Sequence, residues 1–270
     1  MLKVHSLSHL LRQQWDSFEK QLQRTQESMS FKNVHALRVS TRRLEAILVL
    51  TNVLVSTPKS QKILSAIKKV RKGLGPLRDI QVEEMALKEL HFEESDRKKR
   101  ETFRSFLLRN KSDAKKKARQ TLKQISLKKR RKSLYQIEKK FYDLESNSKR
   151  AQIEKRLDKK VRSSVLKLNR AISLKAPVRV EQIHSIRILT KECRYQCECM
   201  KSLTGNSIVG LSEQRQLQTV TGKIQNEKVL IRTLDRFLDK KKNHDNLQVW
   251  ALREKVRQFQ AKLLKPKGLR

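Results

Sequence analysis

Glycine and proline are scarce, at 6 and 4 in 270 residues. That leaves little material for the many turns of a β protein. No run approaches the roughly eighteen apolar residues that a membrane-spanning helix needs. The opening MLKVHSLSHLLRQQW has no uninterrupted apolar segment and no small-residue cleavage site, so no signal peptide is expected. Cysteine is confined to Cys193, Cys197 and Cys199. The first two sit one helical turn apart, as reduced thiols packed in a cytosolic core would. Zinc would need ligands from a second segment, and there is no CxxC pair, so no metal site is expected. Aromatic residues make up only 5%, and no aromatic pair punctuates the basic segments as a base-stacking platform would. No GxxxxGKS/T loop or alternating-glutamate strand motif offers the parts of phosphoryl transfer. Neither catalytic residues nor a cofactor are expected.

Acid is outnumbered as well. There are 27 Asp plus Glu against 65 Lys plus Arg, a formal charge of +38. Self-repulsion on that scale destabilises a compact fold unless a polyanion neutralises it, so the expected partner is an anionic polymer or surface. The apolar residues are periodic rather than sparse, which argues for folding over disorder.

Long stretches rich in Leu, Lys, Gln, Glu and Arg carry apolar residues every three to four positions, predicting an all-α chain. Helices are expected at roughly 4–28, 31–55, 58–73, 76–91, 96–120, 130–148, 150–173, 180–203, 211–221, 223–241 and 245–264. Pro58 behind Thr57 suits a first helical position after a capping hydroxyl. Gly205 and Asn206 suit a helix stop, and SLKAPVRVEQ (173–182) suits a connecting loop. The runs DRKKR, KKK and KKRRK keep their leucine spacing and are expected to be solvated helix faces.

One pattern stands out from this background. VHALRVSTRR (34–43) and IHSIRILTKECRY (183–195) each place a histidine three residues before an arginine and seven before another cation. With cations at about a quarter of positions, a single such hit arises by chance about one time in seventeen per histidine. Here the surroundings agree too. GPLRDIQV (75–82) follows the first motif and GKIQNEKV (222–229) the second, with Asp79 set against Asn226 and a cation, Lys68 or Arg215, seven residues before each glycine. The chain is therefore expected to be a duplication of one helical unit, over residues 1–148 and 149–270.

Offsets of 0, +3, +7 and +10 fall within about 80° of helix circumference. His35, Arg38 and Arg42 therefore form one row, and His184, Arg187, Lys191 and Arg194 another. Leu37, Leu44 and Leu48 lie opposite the first row; Ile186, Cys193 and Cys197 lie opposite the second. Cations repeated at each turn, about 5.4 Å apart, suit a linear polyanion. Any amphipathic helix in a basic protein shows a basic face, but glutamates that would neutralise these rows are mostly absent.

As an ordered set, these motifs resemble the CHAD domain, the conserved histidine α-helical domain, over nearly the whole chain. The resemblance implies two helical bundles related by a pseudo-two-fold axis, with a basic cleft that binds inorganic polyphosphate. Position by position it implies His35, Arg38, Arg42, His184, Arg187, Lys191 and Arg194 as cleft residues. The repeat adds Lys68 and Arg215, and Arg78 and Lys223 complete the set. Glu45 departs from the pattern, standing where the second copy has Arg194; it is expected to shorten the first row or to hold Arg42 or Arg38 in an ion pair. Asn226 is a second departure, opposite Asp79, which is expected to hold a neighbouring arginine. Neighbouring cations should depress both histidines in the free protein and phosphates should raise them. A cytoplasmic, non-catalytic polyphosphate binder is the leading expectation, with non-specific nucleic-acid binding on the same surface as the alternative.

Overall fold

Local chemistry fixes where the helices start. Ser30 accepts a hydrogen bond from the Asn33 amide at 3.2 Å, satisfying one of the amides that a helix start leaves free. Thr57 and Ser60 form a reciprocal capping box, with Pro58 at the first helical position. The computed structural model describes residues 7–89, 97–147, 150–172, 180–205, 211–239 and 253–254. Among them the helices are α1 (Leu7–Glu27), α2 (Phe31–Thr51), α3 (Pro58–Gly73), α4 (Gly75–Glu89), α5 (Arg97–Lys123), α6 (Leu127–Asn147), α7 (Arg150–Ile172), α8 (Val180–Thr204) and α9 (Leu211–Leu238). The described residues contain no strand, and none of their helices is long and apolar enough to cross a membrane.

Several boundaries differ from expectation. Helix α2 stops at Thr51 rather than 55, because the Leu54 and Val55 amides turn back onto the Thr51 carbonyl at 2.9 and 3.0 Å. Helix α8 starts at Val180, as the expected helix 180–203 does, so Val180–Gln182 belong to the helix and not to the adjoining loop. The expected helices 211–221 and 223–241 are one helix, α9, with Gly222 inside it. A helical glycine costs about 1 kcal/mol relative to alanine, and buried Gln214 and Ile224, Leu230, Leu234 and Phe237 anchor α9 on either side. The stop at Gly205 is as expected: its φ is +73° and its amide bonds the Lys201 carbonyl at 2.9 Å. The expected helix 245–264, apart from residues 253–254, and loop residues 173–179 lie outside the described residues.

One apolar cluster runs from α1 through α8, joining Trp15, Phe18, Leu48, Ile63, Ile137 and Phe141 to Leu157, Val161, Cys193 and Cys197. It crosses the expected division at residue 148 without a break. A second cluster ties α4 and α5 to α9 through Leu87, Phe103, Leu107, Leu230, Leu234 and Phe237, with the Phe103 and Phe237 rings edge-on at 5.5 Å. The cysteine thiols are free and buried, and burial pushes Cys199 up to about 12, leaving a small apolar group rather than a nucleophile.

The two interior glycines respond oppositely to an added methyl. At Gly73 a Cβ lies 2.6 Å from Thr121 Cγ2 and 2.8 Å from Thr121 Cβ, whereas at Gly222 nothing lies within 4 Å. Gly73→Ala is expected to lose about 1–3 kcal/mol by overpacking, and Gly222→Ala to gain about 0.5–1 kcal/mol by helix propensity. Urea unfolding checks both; a loss at Gly222 would restore a helix break there.

Candidate functional site

Helices α2 and α8 carry the two histidine-led rows and pack against each other. Their apolar stripes, Leu37, Leu44 and Leu48 on one and Ile186, Cys193 and Cys197 on the other, are all buried. Fixing those stripes in the core turns the cation rows towards one another. His35 senses the charge of Lys191 across the helix pair. Lys191 senses Arg42 and Arg38 as well as Arg187 and Arg194 on its own helix, and Arg42 senses Arg187.

The crowding shows in the protonation states. Burial, then Arg187, Arg42, Arg38 and Arg194, lowers Lys191 to about 6, so its amine is largely neutral at pH 7. Burial lowers Arg38 to about 10 against the opposing pull of Asp79, and burial also lowers Arg42, Arg78 and Arg187. Arginine stays charged throughout this range. Burial and the cations Arg78, Arg38 and Lys191 depress His35, as expected for the free protein. Arg78 Nη1, Arg187 Nε and Arg194 Nε are buried without hydrogen-bond partners. Such orphaned donors are rare in folded proteins unless something else satisfies them.

Carboxylates temper the cluster without cancelling it. Asp79 is open to solvent yet acts on Arg38, Arg187, Arg78 and Arg236, and desolvation still leaves it above the ordinary carboxylate range. Glu45 does not pair with Arg42 or Arg38 as expected. It grips Arg71 through both carboxylate oxygens and stands 3.8 Å from Lys68, because α3 brings those two cations alongside α2. Glu198 does the same for the second row, bonding Arg194 at 3.0 Å and standing 3.9 Å from Arg215. Arg71 has no counterpart in the sequence motifs; its carbonyl accepts from Arg38 Nη1 at 2.6 Å, which fixes the arginine's direction.

Contacts at matched positions agree. Arg78 Nη2 donates to His35 Nδ1 at 3.2 Å, and His184 Nδ1 donates to Gln225 Oε1 at 3.2 Å. Gln225 follows Arg78 by the same interval that separates Gly222 from Gly75. Gln225, rather than Lys223, is thus the counterpart of Arg78. Lys223 is exposed and its charge bears on Glu227, one turn along α9. Two arginines also cover rings: Arg78 lies 3.8 Å from the Phe31 centroid and Arg194 4.3 Å from that of Tyr195.

These features define an all-α protein whose central helix pair gathers arginine, lysine and histidine from both ends of the sequence. The sequence model of the CHAD domain matches residues 9–264, so the chain belongs to the CHAD domain family, which is commonly linked to polyphosphate binding. The crystal structure of the CHAD domain from the plant Ricinus communis shares the fold, with a TM-score of 0.73 over 100% of this chain and 93% of that one, at 17% identity. No curated protein sequence matches the chain.

A pH test follows from Lys191. The unfolded lysine holds its proton to about 10.5, the folded one only to about 6. Between these values the unfolded state binds more protons, so stability rises with pH. Glu83 and Glu227, raised to about 7 mainly by burial, act in the opposite direction between their unfolded value of 4.5 and pH 7, so the clean window lies above 7. The ligand-free protein is expected to resist urea increasingly from pH 7 to 9, and Lys191→Met to lose most of that slope. An equal slope in the variant would mean the lysine is charged in the fold.

Proposed function

We propose that this chain binds inorganic polyphosphate, without catalysis, in a groove between two helical repeats. The observation that carries the reading is the convergence of the α2 and α8 rows, close enough that Lys191 on α8 senses Arg42 and Arg38 on α2. His35, Arg38, Arg42, His184, Arg187, Lys191 and Arg194 line the groove, and Arg78 reaches it through His35. Lys68 and Arg215 flank it at matched distances from Glu45 and Glu198. The paired histidine contacts, and the packing of α2 on α8 and α4 on α9, support a duplication whose copies meet along these helices. Arginine's planar donors suit phosphate oxygens, and the orphaned guanidinium donors are groups that such oxygens would satisfy.

Nucleic acid could use the same phosphate contacts, but the cluster offers few rings for bases to stack on. Tyr195 is buried and covered by Arg194, and exposed Phe31 already has Arg78 over its ring. The nearby carboxylates Glu45 and Glu198 are spent on arginine, which supports binding over metal-assisted hydrolysis. The site of action is the cytoplasm, at polyphosphate granules.

Affinity for long-chain polyphosphate is expected to fall steeply with salt through counterion release. It should tighten from pH 8 to pH 6, because bound phosphates raise His35 and Lys191 and the complex takes up protons. Arg42→Ala should cost about ten- to hundredfold in Kd, the weight of a charge-assisted hydrogen bond. Titration calorimetry reads all three. Displacement of polyphosphate by RNA at equal phosphate concentration would turn the assignment to nucleic acid.

A further inference from the structure

Beside the cation cluster, helices α1, α2, α8 and α9 enclose a pocket of about 360 Å³, within the range of about 300–1,000 Å³ that small-molecule sites occupy. Its lining differs from that of the cluster. Leu10, Ile47 and Cys199 are buried and form an apolar inner wall. Arg43, Lys201 and Arg215 are exposed and set three positive charges at its mouth. Gln14 also lines the pocket, and its Oε1 is buried without a hydrogen-bond partner. The pocket's one carboxylate, Glu198, is already bonded to Arg194.

A bare phosphate chain answers only the mouth. It gains nothing from an apolar wall, and its oxygens repel a buried amide carbonyl that needs a donor. A ligand that satisfies the whole lining combines a flat apolar body, a hydrogen-bond donor on its edge and an anionic tail. We propose that this pocket binds a nucleoside phosphate with an amino-bearing base. The base lies against Leu10, Ile47 and Cys199 and donates to Gln14 Oε1; the phosphates lie on Arg43, Lys201 and Arg215. Arg215 is shared with the polyphosphate groove, but the inference stands apart from that reading, since polyphosphate has no use for the inner wall.

The test compares ATP with inorganic tripolyphosphate, and with ITP, by calorimetry on the whole chain in magnesium-free buffer. ATP is expected to bind about tenfold or more tighter than tripolyphosphate despite carrying less charge, through ring burial. ITP offers a carbonyl where ATP offers an amino group and should bind several-fold more weakly than ATP, because it leaves Gln14 unpaired. Gln14→Leu should erase the difference between ATP and ITP. Ser202→Trp, at an exposed position lining the pocket, should fill it and bring ATP down to the tripolyphosphate level. Equal or tighter binding of tripolyphosphate by the wild type overturns the proposal, as does an ATP advantage that survives Ser202→Trp. Failure of long-chain polyphosphate to bind would overturn the groove reading alone.

Discussion

Two like-charged helix faces are held together here by the packing behind them. Leu37, Leu44 and Leu48 on α2 and Ile186, Cys193 and Cys197 on α8 all lie in the common core. Because helical side chains keep fixed angular relations, burying those stripes leaves the histidine-led rows no choice but to meet. The molecule limits the resulting repulsion in three ways. Asp79 is set among Arg38, Arg78 and Arg187; Lys191 is lowered to about 6; and His35 is depressed towards its neutral form. None of these removes the arginines' charge, so the fold carries an electrostatic cost at this helix pair.

The matched histidine contacts are alike in geometry and unlike in chemistry. A guanidinium can only donate, so His35 accepts at Nδ1 from Arg78 and carries its own hydrogen on Nε2. His184 instead donates from Nδ1 to Gln225 Oε1. A proton on His35 Nδ1 would break the contact with Arg78 and set two cations against each other.

Periodicity alone made the all-α fold legible, since each helix declares its buried stripe every three to four residues. The two rows were legible for the same reason: offsets along one helix are fixed by its geometry. What the chain hid were relations between helices. Glu45 looked like a partner for Arg42 or Arg38, which share its helix; its partner is Arg71, which comes from α3. Arg71 had no motif to announce it, because its role depends on where its carbonyl and side chain land against α2. Gly222 looked like a boundary because glycine weakens helices, yet its α9 neighbours have apolar partners on α4 and α5 and tertiary packing overrides propensity. Lys223 was singled out by type, whereas the residue of that segment in contact with His184 is Gln225.

The continuity of the core explains how such a cluster can persist at all. Had residues 1–148 and 149–270 folded as separate bodies joined by a polar interface, repulsion between the rows would act at a hinge, and the pair would open until solvent screened it. Instead the main apolar cluster crosses that division through α2, α7 and α8, and a second one closes α9 onto α4 and α5. Separating the rows would expose core residues such as Leu48 and Cys197, at roughly 25 cal/mol for each Å² of apolar surface. Burial and repulsion together consequently lower Lys191, and the interface stays closed. The cations are thus held in position by the packing behind them.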